Sequence, residues 1–153
     1  MVDPLTAWNC DTCHGPIDVV GMGLVTWRDS PQGRHDFRIV HKVSCDPGKE
    51  HGFIGSLDLP FLLGVDGLVA ITSLASLGPL HAGPGGTPRA DGIANIDEFV
   101  DLLRRLQLPY YEQARPFFAD QQDRLLDDGM NETFAYLPST LQRIAERGER
   151  EVS

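Results

Sequence analysis

The sequence predicts an α+β protein, with a small strand-built N-terminal part followed by a mostly helical C-terminal one, on three observations. All three cysteines fall between residues 10 and 45. Two runs rich in β-branched and aromatic residues, Leu24-Val25-Thr26-Trp27-Arg28 and Phe37-Arg38-Ile39-Val40-His41, flank the turn-forming stretch Asp29-Ser30-Pro31-Gln32-Gly33. Beyond residue 58 the apolar residues recur at helical rather than alternating spacing.

The elements follow in order. The two runs make a hairpin, and a period of two puts Phe37, Ile39 and His41 on one face. Leu59 to Leu63 suits a short helix, with Pro60 tolerated in its first turn. Asp66 to Leu77 suits a longer one, stopped by Gly78-Pro79. Residues 78–94 are rich in Gly and Pro and read as a loop or linker. Asn95-Ile96-Asp97-Glu98 reads as a capping box, with Asn95 accepting an orphan N–H and Glu98 reaching back. Ile96, Phe99, Val100, Leu103 and Leu106 continue at helical spacing. Tyr110, Ala114, Phe117, Phe118, Leu125 and Leu126 make a second stripe, kinked or shortened at Pro116. Leu137, Leu141, Ile144 and Ala145 make a third, before a charged tail expected to fray. The expected division is a hairpin module at 1–55 and an acidic helical region at 56–153.

The chain has 153 residues and a net charge of −9. Residues 1–55 carry five Lys/Arg against seven Asp/Glu, and residues 56–153 carry eight against fifteen. Such a surface repels nucleic-acid phosphates at long range and suits a basic protein partner. No apolar run is long enough to span a bilayer. The N-terminal residues lack the basic-then-apolar pattern of a secretory signal, so a cytoplasmic location with reduced thiols is expected. Arginine outnumbers lysine 11 to 2, which suggests a GC-rich bacterial source.

The cysteines form one scheme: Cys10-x2-Cys13, a hairpin, then His41-x3-Cys45. Two close pairs of thiolate and imidazole donors brought together by a hairpin are what a tetrahedral zinc ion requires. One structural Zn2+ held by Cys10, Cys13, His41 and Cys45 is therefore expected, with Gly15 permitting the tight turn. His14, Asp46 and His51 are substitutes for the fourth ligand. Trp8-x-Cys10-x2-Cys13-x2-Pro16-Ile17, a strand pair, and His41-Lys42-x2-Cys45 resemble the zinc-ribbon or zinc-knuckle modules of small bacterial proteins, over the first third of the chain. Ribbons usually carry a second Cys-x2-Cys where this chain has His-x3-Cys.

Rival chemistries fit less well. Cys10-Asp11-Thr12-Cys13-His14 matches a haem c attachment site, which needs export. A thioredoxin-like pair would place a helix where Gly15-Pro16 stands. Gly-x-Ser-x-Gly, Walker and deaminase signatures are absent from the sequence. The leading expectation is a non-catalytic regulatory or adaptor protein that recognises another protein. The first alternative is nucleic-acid binding by Arg28, Arg34, Arg38 and Lys42, with Trp27 or Phe37 stacking on bases. The second is an enzyme with an interdomain pocket.

Overall fold

The structure is a computed structural model and describes residues 5, 7–81, 92–127 and 132–153, with the side chains of 81, 123–127, 132 and 133 left aside. It is α+β, as the sequence predicts. The strands are β1 (Trp8–Asn9), β2 (Pro16–Ile17), β3 (Gly23–Ser30), β4 (Gly33–His41) and β5 (Gly55–Asp58). The helices are α1 (Gly64–Ala75), α2 (Ile96–Gln107), α3 (Tyr111–Ala114), α4 (Phe118–Asp127), α5 (Glu132–Ala135) and α6 (Pro138–Val152). Among the described residues no helix is long and apolar enough to cross a membrane.

The chain divides into two compact units. One comprises residues 9–107 and holds the hairpin, β5, α1 and α2. The other combines residues 1–8 with 108–153. The boundary thus lies at residue 107 rather than at 55, because the segment after the hairpin returns to the sheet. β5 pairs antiparallel with β3, giving the order β4-β3-β5. Central β3 buries Leu24, Val25, Thr26 and Trp27 in succession, so both of its faces are covered and alternation is lost. The Thr26 hydroxyl donates to Gly55 O at 2.9 Å, which satisfies the polar group on this strand.

The hairpin carries one irregularity. The β3–β4 register shifts between Thr26 and Arg28, and Asp36 opposite them adopts φ 53°. An extra residue on β4 is a bulge. Beyond it Phe37 meets Trp27 on one side and Phe99 of α2 on the other, each at 6.0 Å between ring centroids.

Helix α2 starts as the sequence anticipates, with Asn95 Oδ1 accepting from Asp97 N at 3.0 Å and Glu98 N at 3.3 Å. Glu98, however, does not reach back to Asn95. Its carboxylate accepts the Asp36 N–H at 2.9 Å, which the bulge has turned outward. Leu59–Leu62 is a 3-10 turn rather than an α-helix, and α1 begins at Gly64, two residues before the expected start. Gly67 sits so close to the Leu62 backbone that a methyl group would stand 2.2 Å from its carbonyl carbon.

In the other unit, Tyr111, Ala114, Leu141, Ile144 and Ala145 form a core edged by Phe117, Phe118 and Tyr136. A 3-10 turn at Arg115–Phe117 bears out the expected effect of Pro116. Helix α6 runs to Val152, so the charged tail is helical rather than frayed. Leu137, expected in the core stripe, is largely exposed. The Gly/Pro-rich stretch at 82–91 and the side chains of Leu125 and Leu126 lie outside the described residues.

Candidate metal centre

Cys10, Cys13, His41 and Cys45 converge, each offering one ligand atom, with all four atoms within 4.8 Å of one another. His14, Asp46 and His51 are not in the cluster. The convergence follows from local structure. Cys10 and Cys13 lie on a tight turn between β1 and β2, closed by Cys10 N to Gly15 O and His14 N to Cys10 O, both 2.9 Å. The residue that takes the left-handed conformation there is His14, at φ 63°, and not Gly15. A methyl group on Gly15 would stand 3.4 Å from Cys13 Sγ, an ordinary contact, so neither its backbone nor the space around it requires glycine.

His41 ends β4, and the following loop turns Cys45 back, with Cys45 N donating to His41 O at 3.2 Å. Within that loop Val43 holds φ 77° while its side chain is 83% exposed. A β-branched residue in this region is strained, and no burial offsets it.

The imidazole is oriented for coordination. His41 Nε2 lies 3.0 Å from Pro16 O, and a carbonyl can only accept, so Nε2 bears the hydrogen. In the neutral ring, the form that coordinates a metal, Nδ1 then has its lone pair directed into the cluster, 3.4 Å from Cys13 Sγ. Backbone amides supply the remaining polarity: Thr12 N donates to Cys10 Sγ and Gly15 N to Cys13 Sγ, both at 3.4 Å. Burial alone would raise the Cys10 thiol, but the Cys13, His41 and Thr12 N–H groups and the His41 ring outweigh it and hold it at about 6. Cys45 moves the other way, pushed up by desolvation and by the neighbouring sulfurs. His41 is raised by its bond to Pro16 and by Cys10. The cluster thus already holds one low-pKa thiolate beside an imidazole that favours its cationic form, the electrostatic situation a bound cation would take over.

Two residues that sequence reasoning missed hold the first knuckle in place. Asp11 N donates to Ile39 O and Asp11 Oδ2 accepts from Ile39 N, both at 2.8 Å, which pins the knuckle to β4. The same Oδ2 accepts from Arg105 Nη1 at 2.8 Å, and Arg105 Nη2 donates to Asn9 O at 3.2 Å. Arg105 is 3% exposed. The available signal was its position: it shares a helix face with Leu102, which makes a charge there anomalous. Thr12 Oγ1 adds a bond to Cys45 O at 2.9 Å, tying the two ligand pairs together.

The basic residues of the hairpin are placed differently from one another. Arg34 Nη1 donates to Leu74 O at 2.6 Å, capping the C-terminal end of α1. Lys42 Nζ lies 2.8 Å from Asp58. Arg28 and Arg38 stack on the Phe53 ring at 4.6 and 4.8 Å, with Asp36 3.6 and 3.2 Å from their Nε atoms. Trp27 is buried, and Phe37 lies between Trp27 and Phe99.

The donor set fits a soft or borderline divalent ion. Three sulfurs and one nitrogen are the ligands of closed structural zinc sites, and a tetrahedron with Zn–S about 2.3 Å has edges of about 3.7 Å. The 3.4 Å between Cys13 Sγ and His41 Nδ1 is already near such an edge. Comparison with protein-family models, curated proteins and solved structures finds no match to this chain.

Proposed function

We infer that the chain is a zinc-binding protein in which one Zn2+, held by Cys10, Cys13, His41 and Cys45, stabilises the fold without taking part in a reaction. The observation that carries this reading is the convergence of all four ligand atoms within 4.8 Å. The donor types support zinc over harder ions, which prefer oxygen. Four protein ligands leave no coordination position for substrate, so the ion's part is structural. With three thiolates the site carries a net charge of −1, and it replaces core volume that a short hairpin lacks.

On that frame the chain acts as a non-catalytic regulatory or adaptor protein that recognises another protein. Its charge of −9 disfavours phosphate backbones. The pairing of Arg34 and Lys42 and the sharing of Asp36 by Arg28 and Arg38 weaken the nucleic-acid alternative further.

Metal content of untagged protein by mass spectrometry tests the zinc reading, with Cys10→Ser and Cys45→Ser alongside. One zinc per chain, lost in both variants together with a fall in thermal stability, is expected. Metal-free protein with unchanged stability after purification under reducing conditions without chelator would overturn it.

A further inference from the structure

The three sulfurs of the cluster differ in what surrounds them. Cys10 is buried, Cys13 is exposed and Cys45 is partly exposed. In the first knuckle each sulfur faces the amide two residues on: Cys10 Sγ accepts the Thr12 N–H and Cys13 Sγ the Gly15 N–H, both at 3.4 Å. The corresponding residue after Cys45 is Pro47, which has no N–H. The neighbouring amides are used elsewhere. Ser44 N donates to Lys42 O at 3.0 Å, Cys45 N to His41 O at 3.2 Å and Gly48 N to Asp46 Oδ1 at 2.9 Å. Among the described residues no backbone N–H is directed at Cys45 Sγ; it receives the Ser44 hydroxyl, a longer contact at 3.8 Å from a group that rotates.

With zinc bound, all three sulfurs are thiolates, so protonation no longer separates them. Hydrogen bonding and access do. An N–H aimed at a thiolate draws off electron density and weakens as the sulfur bonds to an electrophile, so it slows that reaction. Cys10 is closed off by burial and shielded by an amide, and Cys13 is accessible but shielded. Cys45 combines access with a sulfur that no amide shields. Its loop also holds Val43 at φ 77°, so detaching Cys45 from the ion frees a strained segment to relax.

We propose that Cys45 is the reactive sulfur of the zinc centre and that its reagent is a hydroperoxide, whose attack releases the ion. A second accessible sulfur selects an oxidant over an alkylating electrophile: Cys13 Sγ lies within 4.8 Å of Cys45 Sγ and can resolve an oxidised product, whereas an alkylated one stays as it is. The Cys45 thiolate attacks the outer peroxide oxygen. An S–O bond forms, the O–O bond breaks, and the departing hydroxide or alkoxide is protonated by solvent. The Cys13 thiolate then attacks the sulfenic sulfur, forming the S–S bond and expelling hydroxide, which solvent also protonates. Two thiolates have lost two electrons to the peroxide, and zinc stays divalent throughout. Cys10 and His41 are left as its protein ligands, two short of a closed site. This inference rests on the zinc reading above.

Two treatments of the zinc-loaded chain test it: N-ethylmaleimide below one equivalent, and hydrogen peroxide, each followed by peptide mass mapping. Cys45 is expected to be alkylated at least about fivefold faster than Cys13, the rate equivalent of one missing hydrogen bond, with Cys10 protected. Peroxide is expected to release the zinc, read with a chromophoric chelator, in step with a Cys13–Cys45 disulfide that dithiothreitol reverses. Ser44→Ala keeps all four ligands and removes the hydroxyl on Cys45 Sγ, so it should speed Cys45 alkylation about twofold at unchanged zinc content. A zinc-loaded chain in which Cys10 or Cys13 reacts first overturns the proposal and leaves the zinc reading intact. So does one that consumes peroxide without losing zinc, or loses it without that disulfide. A chain that binds no zinc overturns both.

Discussion

The hydrogen on His41 Nε2 is committed to Pro16 O, which leaves Nδ1 as the only donor the ring can offer the cluster. His41→Ala is therefore expected to remove the ligand and weaken metal binding by orders of magnitude, read by competition with a chromophoric chelator. Cys10 gives a test that needs no metal. Its folded pKa of about 6 lies below the ordinary 9.0. A depressed acid contributes stability that is fully present above the unfolded value and lost as pH falls through the folded one. In metal-free protein the Cys10 contribution to the urea midpoint should thus fall as pH drops from about 9 to about 6. The raised His41 works against it, its contribution being present below the ordinary 6.5 and lost as pH rises through its higher folded value. Cys10→Ser should remove the Cys10 part of that dependence, read as the pH-dependent difference in urea midpoint between the variant and wild type. Cys45, shifted upward, works in the opposite sense only above its ordinary 9.0. Val43 offers a gain: Val43→Gly relieves a left-handed valine and should raise stability by about 1 kcal/mol, read from the same midpoints. The four residues of the cluster were legible because metal chemistry would fix both residue type and spacing. The strain at Val43 was not, since nothing in a β-branched residue favours positive φ. Asp11 was equally hidden, because its role depends on Arg105, far along the chain.

Single glycines and one ion pair decide how the elements pack. Gly67→Ala would drive a methyl into the Leu62 carbonyl group, and Gly148→Ala would drive one into the Phe117 ring at 2.3 Å. Backbone cannot give way as a ring can, so the first should cost more than the second, with about 1–3 kcal/mol expected for overpacking of this kind. Differential scanning calorimetry of the two variants checks the order. Arg105→Met leaves Asp11 partly buried without its cation and should destabilise the metal-loaded protein by about 3–5 kcal/mol. The double change Arg105→Met with Asp11→Asn should recover part of that loss. Helix positions could be read from sequence because their apolar stripes recur locally. The bulge at Asp36 diverted Glu98 from its expected cap, an outcome that depends on a strand some 60 residues earlier. Leu137 matched the stripe yet lies at the N-cap of α6, where the backbone is extended and the helical face has not begun.

Across the whole chain, the sequence marked a change at residue 55 because strand patterning ends there. Compactness follows contacts rather than patterning: β5 and α2 both return to the hairpin, and the unit closes only at residue 107. If zinc binds the folded state alone, each tenfold rise in free zinc above its dissociation constant should add about 1.4 kcal/mol of stability. Titration with buffered zinc, followed by thermal melting, measures this directly. A melting temperature unchanged across the titration would argue against a structural ion.

The Asp11–Arg105 pair spans 94 positions, whereas the four ligands all lie within residues 10–45. During synthesis the ligand set is complete once Cys45 has left the ribosome, some sixty residues before Arg105 follows. Closing the short loop is entropically cheaper than closing the long one, and local contacts form first. The knuckle can therefore capture its ion on a nascent chain, with the Asp11 carboxylate left waiting in water. Docking of α2 then becomes the late step that locks an already metallated hairpin. A chain deprived of metal until after release would have to make both closures at once, and its refolding should be correspondingly slower.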